Sequence, residues 1–230
     1  RMSLEGTAAT MNIRPFSAEV FSIPDRGGCI RVIGMIPDQI LTEERFFRPA
    51  VAGGRIAADP ARDLAKIAVI ERHRGTGNIG LGFVQGLGLR SGALASSVAH
   101  DSHNVICAGV SDADMMAAAK AVESMGGGLA AVRDGAVLSA LALPIAGIMS
   151  DRPLTEVASG WKNMREASRA LGCSLGEPFM ALSFLALPVI PALKITDRGL
   201  VDVNRFSFVP LFAEAPPQTG ERKKIGRAHV

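Results

Sequence analysis

A dense run of polar side chains lies between two apolar stretches, and this arrangement constrains the fold more than any other feature. Residues 100–104 read His-Asp-Ser-His-Asn, with apolar residues 92–95 before them and 105–108 after them. Apolar stretches of this kind form core strands, whereas unpaired polar groups are costly to bury. The polar run must therefore be hydrogen-bonded at the edge of a core, or serve a function there.

Composition indicates a globular domain with a large aliphatic core. Of the 230 residues, 48% are hydrophobic and 20% are charged, with one Trp and no Tyr. The formal net charge of +3 is accounted for by residues 221–230, where four basic residues outnumber Glu221. Because the basic charge belongs to a tail and not to a face, we expect neither nucleic acid nor a membrane surface as a partner.

Cysteine usage and hydropathy indicate a cytoplasmic protein. Cys29, Cys107 and Cys173 are widely spaced without a C-x-x-C pair, so we expect reduced, buried thiols. The longest apolar stretch, 179–193, is shorter than the ~20 residues that span a bilayer. Pro188 and Pro191 also interrupt it, which favours a core segment.

Hydrophobic periodicity predicts more strands than helices. Helices are predicted over 111–125, 154–171 and 181–187, and a hairpin joins 129–133 to 136–141 across Asp134-Gly135. Further strands are predicted at 30–36, 40–47, 66–72, 78–84, 105–110 and 206–209. Hairpins mixed with crossovers predict an α/β (α+β) fold, in which mixed β-sheets are layered with helices.

Local patterns add four finer predictions. Ser111 and Asp114 have the spacing of a capping box. The glycines of 78–84 indicate close approach of another backbone. Residues 71–74 read as a charged, solvated strand end, with a role beside a substrate site as the alternative. The second helix has one predicted apolar side, formed by Leu154, Val157, Ala158, Trp161, Met164 and Leu171.

Five ordered stretches resemble the C-terminal domain of bacterial adenine deaminases. They are 86–104, 126–129, 143–150, 178–194 and 199–203, and the resemblance covers roughly 12–212. On this basis we expect a linker remnant at 1–11, the domain at 12–214 and a disordered, non-native tail at 215–230. The segment 141–145 echoes 185–189, which leaves open two similar subdomains.

The resemblance implies hydrolytic deamination of adenine to hypoxanthine and ammonia in purine salvage, assisted by a divalent metal, manganese or iron. Family members of this kind carry an N-terminal amidohydrolase barrel whose first strand supplies a His-x-His pair. This chain has no His-x-His and only four histidines, and a barrel of about 250 residues would not fit beside the matched domain. We therefore expect a fragment without a TIM barrel, inactive alone, that joins the barrel of the same polypeptide in a homo-oligomer.

The candidate catalytic residues are His100, Asp101, Ser102 and His103, in a loop that we expect to border the active site. His100 and His103 are also candidate metal ligands, because imidazole binds metals and transfers protons near neutral pH. The alternative is a structural turn in which Asp101 and Ser102 satisfy backbone donors. A non-catalytic domain that caps the barrel or forms an oligomer interface is the corresponding alternative function.

Other enzyme classes are disfavoured. The glycine-rich segment 75–92 misses the dinucleotide-binding pattern by one position, and the sequence contains no Walker motif. The His-x-Glu and Pro-Cys-x-x-Cys motifs of zinc cytidine-type deaminases are missing too, which disfavours deamination of a base by this chain alone.

Overall fold

The computed structural model describes residues 10–213. This part of the chain forms three α-helices, α1 (Asp112–Ser124), α2 (Leu154–Ala170) and α3 (Pro178–Leu185). Its strands are β1 (Ile23–Pro24), β2 (Cys29–Met35), β3 (Thr42–Phe47), β4 (Ala50–Ala52), β5 (Arg55–Ala57), β6 (Leu64–Ile70), β7 (Ile79–Gln85), β8 (Ala93–Ser96), β9 (Val105–Gly109), β10 (Gly128–Arg133), β11 (Ala136–Ala142), β12 (Leu193–Thr196), β13 (Gly199–Asp202), β14 (Ser207–Val209) and β15 (Phe212–Ala213).

A nine-stranded sheet dominates the molecule. Its order is β11-β10-β8-β9-β6-β7-β2-β15, with β3 also paired to β2. The neighbouring strands are antiparallel except β2 and β7, which are parallel. Two three-stranded sheets, β1-β5-β4 and β12-β13-β14, lie beside it. The predicted fold class of mixed sheets layered with helices is confirmed, and no barrel closes among the described strands.

Both faces of the large sheet are covered, which explains its continuous apolar strands. On β6, Ala68 and Ile70 pack against the α1 side, while Ile67 and Val69 pack on the side of α2, α3 and β12–β13. All seven positions of β6 and all five of β9 are buried. Strands with two covered faces lack polar alternation, as the sequence predicted for 105–110.

Glycines in β7 permit a second backbone to lie against the sheet. A Cβ on Gly80 would come within 1.9 Å of the carbonyl oxygen of Thr196, the last residue of β12. A Cβ on Gly82 would touch Leu200 at 3.0 Å. The predicted close approach is therefore confirmed, and its partner is the β12–β13 hairpin, which the sequence reading did not identify as strands.

The start of α1 confirms half of the predicted capping box. Ser111 is the N-cap, and its hydroxyl accepts a hydrogen bond from the backbone N–H of Asp114 at 3.4 Å. The second half of the prediction is wrong, because the Asp114 carboxylate accepts from the backbone N–H of Gly135 at 2.8 Å. Asp114 therefore joins the helix to the β10–β11 turn and does not close the cap on itself.

The first half of α2 corrects the predicted apolar side. Met164 is buried and Trp161 and Val157 are half-buried, as expected, but Leu154 is 82% exposed and Ala158 is exposed as well. Periodicity reports which side of a helix is apolar, whereas burial requires an element that covers that side. Nothing in residues 10–213 covers the first turn of α2.

The ends of the described chain refine the predicted boundaries. Thr10 and Asn12 are hydrogen-bonded to Arg72, so the domain includes the last residues of the predicted linker. The predicted tail at 215–230 lies outside the described residues. The echoing segments 141–145 and 185–189 follow a strand and a helix respectively, and the two-subdomain division stays a prediction.

The remaining physical predictions concern thiols and membranes. Cys29, Cys107 and Cys173 are buried free thiols, as expected, and burial raises the pKa of Cys107 to about 12. Within residues 10–213, no helix combines the length and the apolar character needed to cross a membrane.

Candidate functional site

The polar run forms a loop at one edge of the large sheet. Strands β6, β8 and β11 end at this edge, whereas β9 and β10 begin there. The segments 71–78, 97–104, 126–128 and 143–150 therefore lie side by side, and we call them the polar edge. Three of the stretches that carry the family resemblance contribute to it, although they are far apart in the sequence.

The structure brings His100 and His103 together. Their ring centroids are 5.9 Å apart, with an interplanar angle of 72°. On its other side, His100 packs on Phe184 near the end of α3, with ring centroids 4.9 Å apart. A fourth resembling stretch, 178–194, thus reaches the same loop and supports one of its two imidazoles.

His103 is fixed by its own backbone environment. Its Nδ1 accepts the N–H of Ala99 at 3.3 Å, and its backbone N–H donates to the carbonyl oxygen of Ala99 at 2.6 Å. Burial lowers the pKa of His103 below 6.5, and the positive charges of His100 and Arg72 lower it further. Both influences favour the neutral imidazole. Because Nδ1 accepts the N–H of Ala99, the proton of the neutral ring lies on Nε2, which can donate a hydrogen bond.

Asp101 and Ser102 lie at the exposed tip of the loop. The Ser102 hydroxyl accepts from the backbone N–H of Asn104 at 3.5 Å, and Nε2 of His73 lies 2.7 Å from the Ser102 carbonyl oxygen. The structural turn anticipated for this segment is thus present in part. This turn leaves the side chain of Asp101 exposed beside the histidine pair.

The segment predicted as a solvated charged strand end is buried in part, which corrects that interpretation. Glu71 is 7% exposed, and its carboxylate accepts the backbone N–H groups of His73, Arg74 and Thr76 at 2.5, 2.8 and 3.0 Å. Burial alone would raise the pKa of Glu71, but these donors lower it to about 2. Glu71 is therefore an ionised carboxylate that fixes the turn following β6.

Ser97 connects three segments of the polar edge. Its hydroxyl accepts the N–H of Gly128 at 2.7 Å and donates to the carbonyl oxygen of Gly147 at 2.5 Å. The residue is fully buried, so these partners cannot be replaced by water without rearrangement. The histidine loop, the start of β10 and the segment 143–150 consequently form one connected structure.

The described residues do not make a metal centre by themselves. Residues 10–213 contain no group of three or more His, Cys, Asp or Glu side chains placed to hold one ion. His100 and His103 could supply two imidazoles, which is fewer than the three or four protein ligands of a typical site. A metal at this edge would need further ligands from outside the described residues.

A small cavity lies next to the polar edge. It has a volume of about 210 Å³ and is lined by Ile13, Arg14, Phe16, Glu71 and Ile79, among others. Small-molecule sites are commonly ~300–1,000 Å³. The cavity is therefore small for an enclosed substrate, and its carboxylate is already bonded to backbone groups.

Sequence reasoning missed one residue at the centre of this edge. Arg72 is 1% exposed and its guanidinium donates to the backbone carbonyls of His103 and Ala146. The only available signal was its position directly after an apolar strand, which also fits a solvated strand end. Its acceptors are main-chain carbonyl oxygens, and a residue pattern does not show which main-chain atoms a side chain will bind.

Comparison with known proteins identifies the family. A family model described as "Adenine deaminase C-terminal domain" matches residues 39–207. Among curated proteins, the adenine deaminase of Oleidesulfovibrio alaskensis is 52% identical over 206 residues, which are 90% of this chain and 36% of that protein. The adenine deaminase of Desulfatibacillum aliphaticivorans is 57% identical over 192 residues, covering 84% of this chain and 34% of the relative.

A third relative has the same relation to the chain. The adenine deaminase of Methanothrix thermoacetophila is 52% identical over 206 residues, or 89% of this chain and 36% of that protein. The chain thus spans about a third of the length of the curated relatives that it matches. The resemblance first seen in five stretches is confirmed over most of the sequence, and the chain belongs to the adenine deaminase C-terminal domain family.

Proposed function

We propose that this chain is part of an adenine deaminase, an enzyme that hydrolyses adenine to hypoxanthine and ammonia in purine salvage. Its relatives carry that name, and they are longer proteins. The observation that carries the proposal is the convergence of four resembling stretches around His100 and His103. It supports the proposal that the polar edge is the side of the domain that faces the reaction.

The partner of the polar edge is the N-terminal amidohydrolase domain of the same polypeptide. Two observations support this orientation. Residues 10–12 lie at this edge, because the N–H of Asn12 donates to the carbonyl oxygen of Arg72 at 2.7 Å and Arg72 donates to Thr10. Apolar side chains beside the edge are also uncovered, since Met149 is 54% exposed and Leu154 is 82% exposed.

The four loop residues have roles that follow from their chemistry. Deamination adds the oxygen of water to the purine carbon that bears the amino group, and it releases that group as ammonia. Protons must therefore move to a ring nitrogen and to the leaving amine. We assign this proton and hydrogen-bond exchange to His100 and His103, with Asp101 and Ser102 as hydrogen-bonding partners at the exposed tip of the loop.

The divalent metal, manganese or iron, belongs mainly to the missing domain. The resemblance to adenine deaminases supports this assignment, and His100 and His103 would add at most two imidazoles. The complete enzyme is proposed to be a cytoplasmic homo-oligomer. The isolated chain, lacking most metal ligands, is expected to be inactive on adenine.

The test compares the chain with the full-length protein that carries it, using ammonia release from adenine in the presence of manganese. We expect turnover by the full-length protein and none by the chain alone. In the full-length protein, His100→Ala and His103→Ala should abolish most turnover with an unchanged melting temperature. His73→Ala is the matched control, because it removes a histidine that contacts the loop without altering the ring pair. Rapid ammonia release by the isolated chain would contradict the assignment.

A non-catalytic role as a cap for the barrel or as an oligomer interface is the second candidate. It is favoured by the structural bonds of the loop, since Nδ1 of His103 is used by the N–H of Ala99 and the Ser102 hydroxyl by Asn104. The same histidine variants separate the two functions. Loss of melting temperature with turnover retained at low temperature would favour the structural role.

A further inference from the structure

A buried arginine lies at the centre of the polar edge. Arg72 is 1% exposed, yet the acceptors of its guanidinium are carbonyl oxygens and one hydroxyl rather than a carboxylate. Burying such a cation is costly, and burial lowers its pKa from the usual value. Within residues 10–213 no carboxylate pairs with this guanidinium, so its burial there needs a reason beyond packing.

The guanidinium joins three segments that are distant in sequence. Nε donates to the carbonyl oxygen of His103, Nη2 donates to that of Ala146 at 3.0 Å, and Nη1 donates to both the carbonyl and the hydroxyl oxygen of Thr10 at 3.0 Å. Four of the five N–H donors of the side chain are therefore in use. Its backbone N–H adds a bond to Oδ1 of Asn104 at 3.3 Å.

Two of these acceptors belong to residues in an unusual conformation. His103 has φ of +50° and Ala146 has φ of +55°, a left-handed region that residues with side chains rarely adopt. Such conformations persist only where the surroundings fix them. Next to Ala146, Gly147 leaves room for the guanidinium, because a Cβ there would lie 2.8 Å from Nη1 of Arg72.

We propose that Arg72 is a positioning residue: it fixes the backbone of His103, and through it the His100–His103 pair, relative to the segment at Thr10 through which the remainder of the polypeptide joins the domain. Its catalytic consequence rests on the function proposed above. Its structural part does not, because the hydrogen bonds lie wholly within this chain.

The geometry calls for arginine and not simply for a positive charge. A guanidinium is a planar fork whose donors point in fixed directions, so it can reach acceptors on three sides at once. A lysine has three donors on one nitrogen and cannot span the same carbonyls. Arg72→Lys therefore keeps the positive charge but removes the planar arrangement of donors that reaches several carbonyls at once.

The first experiment measures hydrogen exchange of the His103 amide, which donates to Ala99, in the isolated chain. We expect Arg72→Lys to accelerate its exchange about tenfold or more. Arg62→Gln, which removes an exposed arginine at the opposite edge, should leave it unchanged. If Arg72→Lys fails to fold, Thr10→Val serves instead, because it deletes one acceptor of Nη1 and should accelerate exchange to a smaller extent. Unchanged exchange in the folded variant would overturn the proposal.

The second experiment measures adenine turnover in the full-length protein well below its melting temperature. We expect Arg72→Lys to lower kcat on the order of 10²-fold, with a much smaller change in KM, because the reacting groups are misplaced while substrate binding is retained. A folded variant with wild-type kcat would show that Arg72 only stabilises the fold and would overturn the positioning role. If the full-length wild type did not deaminate adenine, the proposed function would fail, while the exchange measurement would still decide the role of Arg72.

Discussion

The two edges of the large sheet are held together in different ways. At the polar edge, Arg72 reaches Thr10, His103 and Ala146, which are 62, 31 and 74 residues away. At the opposite edge, Arg62 pairs with Asp59 only three residues away, and the β10–β11 turn is a tight Asp134-Gly135 hairpin with both residues at positive φ. At the polar edge, one buried guanidinium joins several distant segments. The opposite edge combines local turns with separate pairwise bonds, such as that between Asp114 and Gly135.

This difference indicates where the domain tolerates change. A local turn is specified by two or three neighbouring residues and remains intact when a distant segment moves. The loops of the polar edge are not independent of one another, because they share buried donors such as Arg72 and Ser97. Substitutions there should affect several segments together.

The largest difference should appear between the two arginines. Arg72→Ala removes four buried hydrogen bonds and leaves carbonyls without donors, so we expect a loss of about 3–5 kcal/mol in the free energy of unfolding. Arg62→Ala breaks an exposed ion pair and should cost about 1 kcal/mol or less. Urea unfolding of both variants measures this, and equal losses would refute the contrast between the edges.

Ser97 tests the polar edge without a change of charge. Ser97→Ala leaves the N–H of Gly128 and the carbonyl of Gly147 without their buried partner, so a loss of about 2–3 kcal/mol is expected. Ser124→Ala is the matched control, because that hydroxyl is exposed and bonds only to its own helix. The control should change stability by about 0.5 kcal/mol or less. Similar effects of the two variants in thermal unfolding would count against the network.

Acid sensitivity should also come from the polar edge. The pKa of Glu71 is about 2 in the folded protein and near 4.5 when unfolded, so its stabilisation is fully present above pH 4.5 and is lost as the pH falls towards 2. The loss is on the order of 2 kcal/mol. Glu71→Gln should flatten the dependence of unfolding free energy on pH in that window. An unchanged acid profile would show that other carboxylates dominate.

Asp114 gives the smallest expected effect and probes the opposite edge. Asp114→Asn keeps the size of the side chain and weakens the bond to the N–H of Gly135, so a loss of about 1 kcal/mol is expected. Hydrogen exchange should accelerate at Gly135 and remain unchanged at His103. Accelerated exchange at both amides would show that the two edges are not independent of each other.

The sequence predicted the elements of this fold better than their connections. Strand β9, helix α1, the Asp134-Gly135 hairpin and the close approach at β7 could be read from periodicity and glycine placement. The burial of Arg72 and the exposure of Leu154 could not, because both depend on what other segments place nearby. The histidine pair was identified from its local polar density. The contacts that fix it could not be predicted, because they involve main-chain groups of Ala99 and His103 and the distant side chains of Arg72 and Phe184.

Strand β15 has a consequence for the order in which the molecule is made. Phe212 pairs with Ile30 on β2, and Nη1 of Arg31 donates to the carbonyl of Pro210 at 2.7 Å, so the first and last parts of the described chain meet in one sheet. During synthesis, β2 emerges from the ribosome long before the strand that completes it. Because distant pairings of this kind slow folding, we expect the sheet to reach its final form only after the last strand has been released from the exit tunnel.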